Sequence, residues 1–214
     1  MIISPGRNFV FVHIPKTGGT ALALALESRA MRDDILIGDT PKARRRRGRL
    51  KGAQAAGRLW KHSTLADIDG LVSREFVAGA FVVTLVRNPW DRMVSYYHWL
   101  RAQRFEHPAV RLAQAVDFVG FLAHPQTGAS ISANPYTSYT RDAFGQERCD
   151  LYIRIEEFER DSIALWDTLG FQLDLPVVNQ SQRRRDYRSY YCDTLISRVA
   201  NLCAQDIDRF GYAF

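Results

Sequence analysis

Lys16, Thr17, Gly18, Gly19 and Thr20 follow, through Pro15, directly on the β-branched and aromatic run Asn8-Phe-Val-Phe-Val-His-Ile14. Such a run reads as a strand buried on both faces. The Ala- and Leu-rich stretch that follows, Ala21 to Ser28, reads as a helix. A strand that ends in a glycine turn and opens a helix aims several backbone N–H groups one way, and the helix dipole adds positive potential there. Gly18 and Gly19 let an anion approach the backbone closely. Lys16 supplies a mobile positive charge, and Thr17 and Thr20 supply hydroxyl donors. The chemistry this predicts is recognition of a phosphate-type group. Glycine is common in any such turn, but a lysine and two threonines beside it are not explained by the turn alone.

A second unit of the same kind follows. Ala80 to Val86 is another buried-strand run, broken by Arg87-Asn88-Pro89. Asn88 suits an N-cap and Pro89 a first helical turn, so a helix is expected from about Trp90 to Arg104. The Walker A order is missing, because Lys16 precedes the glycines. A magnesium-dependent nucleotide hydrolase usually places an acidic residue at the end of a buried strand, whereas this strand ends in Arg87. A cation there argues for a second anion pocket and for metal-free chemistry. Ser95 lies eight residues beyond Arg87, about two turns along the helix, and the two can grip one phosphate together. Two such sites suit a nucleotide phosphorylated at both its 3′ and 5′ positions.

The elements that must position these residues form a repeating pattern. A third strand is expected over Leu151 to Ile155. A helix follows from about Phe158 to Leu169, ended by Gly170, and a last helix covers Asp193 to Phe210. Repeated strand-then-helix units predict an α/β fold with a mainly parallel sheet flanked by helices. The 214 residues suit one domain spanning residues 1–214. Two stretches read as irregular: Thr40 to Gly57, which carries the basic run Lys42 to Lys51, and His124 to Pro135.

The formal net charge of +6 favours anionic partners without choosing among them. Asn8 to Ile14 is too short to span a bilayer and lacks the flanks of a signal peptide, so a soluble, cytoplasmic protein with no stable membrane insertion is expected. Three cysteines without CxxC spacing argue for reduced thiols rather than disulfides or zinc. The basic run has two readings, a solvated loop or a guide for an anionic acceptor. A nucleic-acid binder accounts for the charge but not for two ordered anion loops, and no nucleic-acid motif is present.

His13-Ile-Pro-Lys-Thr-Gly-Gly-Thr20 resembles the 5′-phosphosulfate motif of the sulfotransferases that use 3′-phosphoadenosine-5′-phosphosulfate (PAPS). Val86-Arg-Asn-Pro-Trp-Asp-Arg-Met-Val-Ser-Tyr-Tyr97 resembles their 3′-phosphate motif. The variant is most similar to the Golgi-type carbohydrate sulfotransferases, including the heparan sulfate 2-O-sulfotransferases, and to their soluble bacterial relatives. Ile153 to Glu157, Val178-Asn179-Gln-Ser181 and the stretch Asp206 to Phe214 extend the likeness. The resemblance implies a P-loop-like fold, PAPS as donor with 3′,5′-ADP as product, and no metal. It implies Pro15, Lys16, Thr17, Gly18, Gly19 and Thr20 around the 5′-phosphosulfate, and Arg87 and Ser95 on the 3′-phosphate. Lys16 would also stabilise charge on the departing phosphate oxygen.

The resemblance further implies His62, in Trp60-Lys-His-Ser-Thr64, as the base for an acceptor hydroxyl, and Arg183 as a late cation closing on the 3′-phosphate. The acceptor would be anionic or a carbohydrate. His98 is expected to pack or to support Ser95, and His13 to be structural. Glu156 and Glu157 are expected to cap the following helix or to pair with Arg154, the alternative implied by some relatives being that a carboxylate here is the base. Tyr136, Tyr139, Tyr187, Tyr190 and Tyr191 suit either an acceptor cleft or the core. The competing enzyme reading is an ATP-dependent phosphotransferase.

Overall fold

The structure is a computed structural model that describes residues 1–176 and 183–214. The chain runs through β1 (Ile2–Ser4), β2 (Phe9–Val12), α1 (Gly19–Ser28), β3 (Ile35–Leu36), α2 (Pro41–Arg46), α3 (Arg74–Gly79) and β4 (Phe81–Val86). It continues through α4 (Pro89–Arg101), α5 (Pro108–Ala115), α6 (Phe118–Ala123), α7 (Pro125–Ser132), β5 (Leu151–Arg154), α8 (Phe158–Asp161), α9 (Ile163–Leu169), α10 (Asp193–Leu202) and α11 (Ala204–Phe210). Two compact units divide these elements: Met1–Val86 with Tyr136–Val178, and Arg87–Pro135 with Asn179–Phe214.

The first unit holds the sheet, ordered β3-β1-β2-β4-β5. β2 pairs parallel with β4, in register Val12↔Thr84, and β4 pairs parallel with β5. β1 is antiparallel to both β2 and β3. Thus four strands point one way and β1 alone is reversed, a mixed sheet that is mainly parallel. Alternation along β2 explains the layering. Phe9 and Phe11 join Leu22, Ala23 and Leu26 of α1 and Leu165 of α9 in one cluster, while Val10 and Val12 join Leu65, Ile68 and Val77 in another. With both faces covered, β2 and β4 read as continuous apolar runs rather than alternating ones.

The second unit is helical. Trp90, Met93, Val94, Tyr97 and Leu100 of α4 pack with Phe118, Phe121 and Leu122 of α6 and with Leu195 and Val199 of α10. Tyr187, Tyr190 and Tyr191 pack against this cluster, and Tyr139 against the second sheet cluster. All five thus pack on the core, Tyr136 fully buried and the other four partly exposed.

Several element boundaries are corrected. Thr40 to Gly57 is not irregular throughout. Thr40 caps α2 by accepting from the Ala43 N–H at 3.2 Å, and Pro41 takes the first turn. His124 to Pro135 contains α7, where the His124 Nδ1 accepts from the Gln126 N–H and Pro125 again occupies the first turn. The helix expected from Phe158 breaks at Ser162, and the one expected from Asp193 breaks at Cys203. Gly170 does end α9, with φ +74°. The cysteines Cys149, Cys192 and Cys203 are unbridged. Among the described residues, no helix is long and apolar enough to cross a membrane.

Candidate active site

In the first unit, the segment from His13 to Thr20 leaves the C-terminal end of β2 and enters α1. Lys16 takes a left-handed conformation, φ +67°, as does Gly18 at φ +85°. For lysine that conformation costs about 1–2 kcal/mol, so the loop geometry is held by its surroundings. One of those holds is Thr17, fully buried, whose hydroxyl donates to the Ile14 carbonyl at 2.9 Å. The expected role of Thr17 as a hydroxyl donor to the anion is therefore corrected: its proton is engaged inside the loop, and its side chain shapes the turn.

Gly18 caps α1 without a side-chain cap, so the first N–H groups of the helix have no side-chain acceptor. Donors in this position can hold an anion. The two glycines are also sterically required. A Cβ on Gly18 would stand 2.2 Å from Ile155 Cδ1, and one on Gly19 would stand 2.3 Å from His13 Cδ2. Gly18→Ala and Gly19→Ala should each lower stability by roughly 1–3 kcal/mol through overpacking, Gly18→Ala also through its positive φ. Thermal denaturation checks this, and unchanged melting temperatures would contradict the geometry.

His62 reaches the same place from a different segment. Its Nδ1 lies 2.7 Å from the carbonyl oxygen of His13. A carbonyl can only accept, so Nδ1 carries the proton and Nε2 keeps a lone pair. This is the tautomer a general base needs. The His62 ring stands edge-on to His13 at 4.7 Å and to Trp60 at 5.0 Å. Burial, reinforced by Lys61, lowers its pKa to about 4, the His13 carbonyl opposing. His13 is buried and held well below its ordinary value by desolvation first and His62 second. Both rings are neutral at pH 7.

The turn that carries His62 is locked by Ser63, fully buried, which accepts from the Trp60 N–H at 2.9 Å and lies 2.9 Å from the Arg58 carbonyl it donates to. Trp60 itself is 42% exposed, with the Arg58 guanidinium 5.5 Å from its ring centroid. Nothing in the residue pattern signals this exposed indole beside the candidate base.

In the second unit, Asn88 caps α4 by accepting from the Trp90 N–H at 3.1 Å, as its position predicts. Arg87, Asp91, Ser95 and His98 follow at spacings of four, four and three, which puts them along one helix face. Arg87 meets Asp91 Oδ2 through Nε at 2.8 Å and Nη2 at 2.5 Å. Arg183 places Nη1 2.6 Å from Asp91 Oδ1. Ser95 is buried. Thus Arg87 and Arg183, predicted separately, meet on one carboxylate that sequence reasoning missed. The signal was an acidic residue one turn after Arg87. His98 lies edge-on to Tyr97 and Tyr190, and burial, with Arg101 and Arg183 nearby, lowers its pKa.

Arg154 is held by Asp161 through Nε at 2.8 Å and Nη2 at 3.1 Å, and Glu157 faces Arg160 at 3.5 Å. Val178, Asn179 and Ser181 lie outside the described residues. The basic run divides by role. Lys42 donates to the Glu27 carbonyl, Arg46 to those of Met31 (2.8 Å) and Asp34 (3.3 Å), and Arg49 to that of Arg32. These cations tie down the segment leaving α1. Arg44, Arg45 and Arg47 are exposed.

A strand–loop–helix turn whose geometry can hold an anion, with a neutral imidazole beside it, suits group transfer on a phosphate-type substrate. A family model described as the sulfotransferase family matches residues 1–213, and the chain belongs to that family. The fold is similar to the crystal structure of the mouse sulfotransferase SULT7A1 complexed with PAP. The two share 15% identity and a TM-score of 0.51 over 94% of this chain and 84% of that one. No curated protein sequence matches the chain.

Proposed function

We propose that this protein transfers a sulfonate group from PAPS to an acceptor hydroxyl on a carbohydrate, without a metal ion. The observation that carries this reading is the uncapped start of α1 after Lys16, Thr17, Gly18 and Gly19, in a chain of the sulfotransferase family. The structural relative was crystallised with PAP, the nucleotide product that PAPS would leave. The residues fit such a ligand. Pro15, Lys16, Gly18, Gly19 and Thr20, with the backbone of Thr17, hold the 5′ end, and Arg87, Ser95 and Arg183 hold the 3′-phosphate.

PAPS supplies the activated sulfonate. His62 Nε2 takes the acceptor proton as the oxygen attacks. Lys16 and the helix N–H groups stabilise the negative charge that grows on the departing phosphate oxygen. A bound polyanion also favours imidazolium, which raises the His62 pKa from about 4 toward the working pH. The direct test supplies PAPS and a panel of glycan acceptors and follows release of 3′,5′-ADP with formation of a sulfate ester. Nucleotide release without any sulfated product, or no turnover on any hydroxyl acceptor, counts against the reading.

Two features support a sugar acceptor. Trp60 exposes its indole next to His62, a surface on which a sugar ring can stack, with Arg58 beside it for an anionic substituent. Trp60→Ala should raise the acceptor KM about tenfold, with the donor KM unchanged, in line with the roughly 1–1.5 kcal/mol of an aromatic contact. An unchanged acceptor KM would remove the indole from the site. Arg44, Arg45 and Arg47 offer a steering charge. Their joint replacement by Ser should raise the KM of an anionic acceptor several-fold at low salt and not at high salt. Arg46 is kept because its loss would loosen the segment after α1.

A further inference from the structure

The Asp91 carboxylate sits between two guanidiniums. Both oxygens are used: Oδ2 by the Nε and Nη2 of Arg87, and Oδ1 by the Nη1 of Arg183 at 2.6 Å. The three side chains are all largely buried, at 17%, 16% and 12% exposure for Arg87, Asp91 and Arg183. Two cations brought to one place repel each other and lose hydration, and a shared carboxylate offsets both costs. The cluster nevertheless keeps a net positive charge.

The two guanidiniums are held differently. Arg87 makes hydrogen bonds to Asp91 on two nitrogens. Arg183 meets it as an ion pair at 2.6 Å. Among the described residues, neither its Nη1 nor Asp91 Oδ1 makes an aligned hydrogen bond, although both atoms are buried. Close by on the same helix face, His98 Nε2 is buried and likewise without a hydrogen-bond partner among the described residues. Buried donors left unsatisfied are costly, and they are tolerated where a ligand completes them. An oxyanion is the ligand that completes a guanidinium N–H.

We infer that Asp91 is the positioning residue of the 3′-phosphate pocket, fixing Arg87 and Arg183 in one arrangement toward a single phosphate. This rests on the proposed PAPS reading. It makes a prediction opposite in sign to simple electrostatics. Removing a carboxylate from a phosphate site should strengthen anion binding if charge alone matters. It should weaken binding if the carboxylate's work is alignment.

The test compares affinities for 3′,5′-ADP and for 5′-AMP, which lacks the 3′-phosphate, by calorimetry on the full chain. Wild type, Asp91→Asn and Asp91→Glu are measured, each with its melting temperature. The wild type should bind 3′,5′-ADP far more tightly than 5′-AMP. Asp91→Asn should cut that ratio by roughly tenfold or more while leaving 5′-AMP affinity unchanged, since only the 3′ contact is disturbed. Asp91→Glu, which keeps the charge, should restore part of the ratio. An undiminished or larger ratio in Asp91→Asn overturns the inference, and so does an equal loss for both nucleotides, which marks a general structural role. A wild type that does not prefer 3′,5′-ADP instead overturns the 3′-phosphate assignment itself.

Discussion

Lys16→Ala should reduce turnover by at least about 10²–10³-fold, the loss expected when one fixed electrostatic contact to a developing charge is removed. Loop conformation sharpens this expectation. Lys16 holds a left-handed backbone that lysine adopts only at a cost, so alanine at this position bears the same strain without the ammonium. The variant should fold, because Thr17 still staples the loop to Ile14. Lys16→Arg keeps the charge but not its position, and should recover little. Affinity for 3′,5′-ADP should fall far less than kcat, because the ammonium acts mainly on charge that exists only in the transition state. Steady-state kinetics with a nucleotide-binding assay separate the two effects. Near-normal kcat in Lys16→Ala would end the assignment.

His62→Asn should lower kcat by about 10²–10⁴-fold with donor affinity kept. Asparagine is chosen because its amide can still donate to the His13 carbonyl, as Nδ1–H of the imidazole does, so the turn stays in place. The pH dependence follows from the same bond and from burial. With its folded pKa near 4, His62 in the free enzyme is neutral down to about that pH. The acid limb of kcat/KM for the donor should therefore fall well below 6.5. The limb of kcat, which reports the donor-bound enzyme, should lie at higher pH, because the bound anion favours imidazolium.

Stability carries the same sign. A histidine whose folded pKa is lowered binds fewer protons folded than unfolded. Its contribution is fully present above about 6.5 and declines as the pH falls toward 4, by on the order of 3 kcal/mol for the shift of His62. His62→Asn should flatten the melting-temperature profile across that window. A wild-type profile already flat between pH 6.5 and 4 would show that the ring is not buried as described.

The residues of the first loop were legible because strand, glycine turn and helix follow one another without interruption, and each step is encoded locally. The cap of α4 by Asn88 was equally local. What the sequence concealed depends on tertiary contact. Asp91 is an acid in the first turn of α4, and only the approach of Arg183, ninety-two positions later, makes it a bridge. Thr17 looked like a phosphate donor until its hydroxyl met Ile14. The basic run looked like one feature because charge is visible in sequence and carbonyl partners are not. In the structure, Lys42, Arg46 and Arg49 brace the segment after α1, while Arg44, Arg45 and Arg47 face solvent. β1 and β3, of three and two residues, are too short to carry a periodic signal, so the reversed strand of the sheet went unread.

The most direct measurement is a thermal-shift titration with 3′,5′-ADP beside ATP, each with and without Mg²⁺. A ligand that binds only the folded state raises the melting temperature. The account predicts stabilisation by 3′,5′-ADP that is indifferent to Mg²⁺, with little from ATP. Stabilisation by Mg²⁺–ATP alone would contradict it and point to phosphoryl transfer instead.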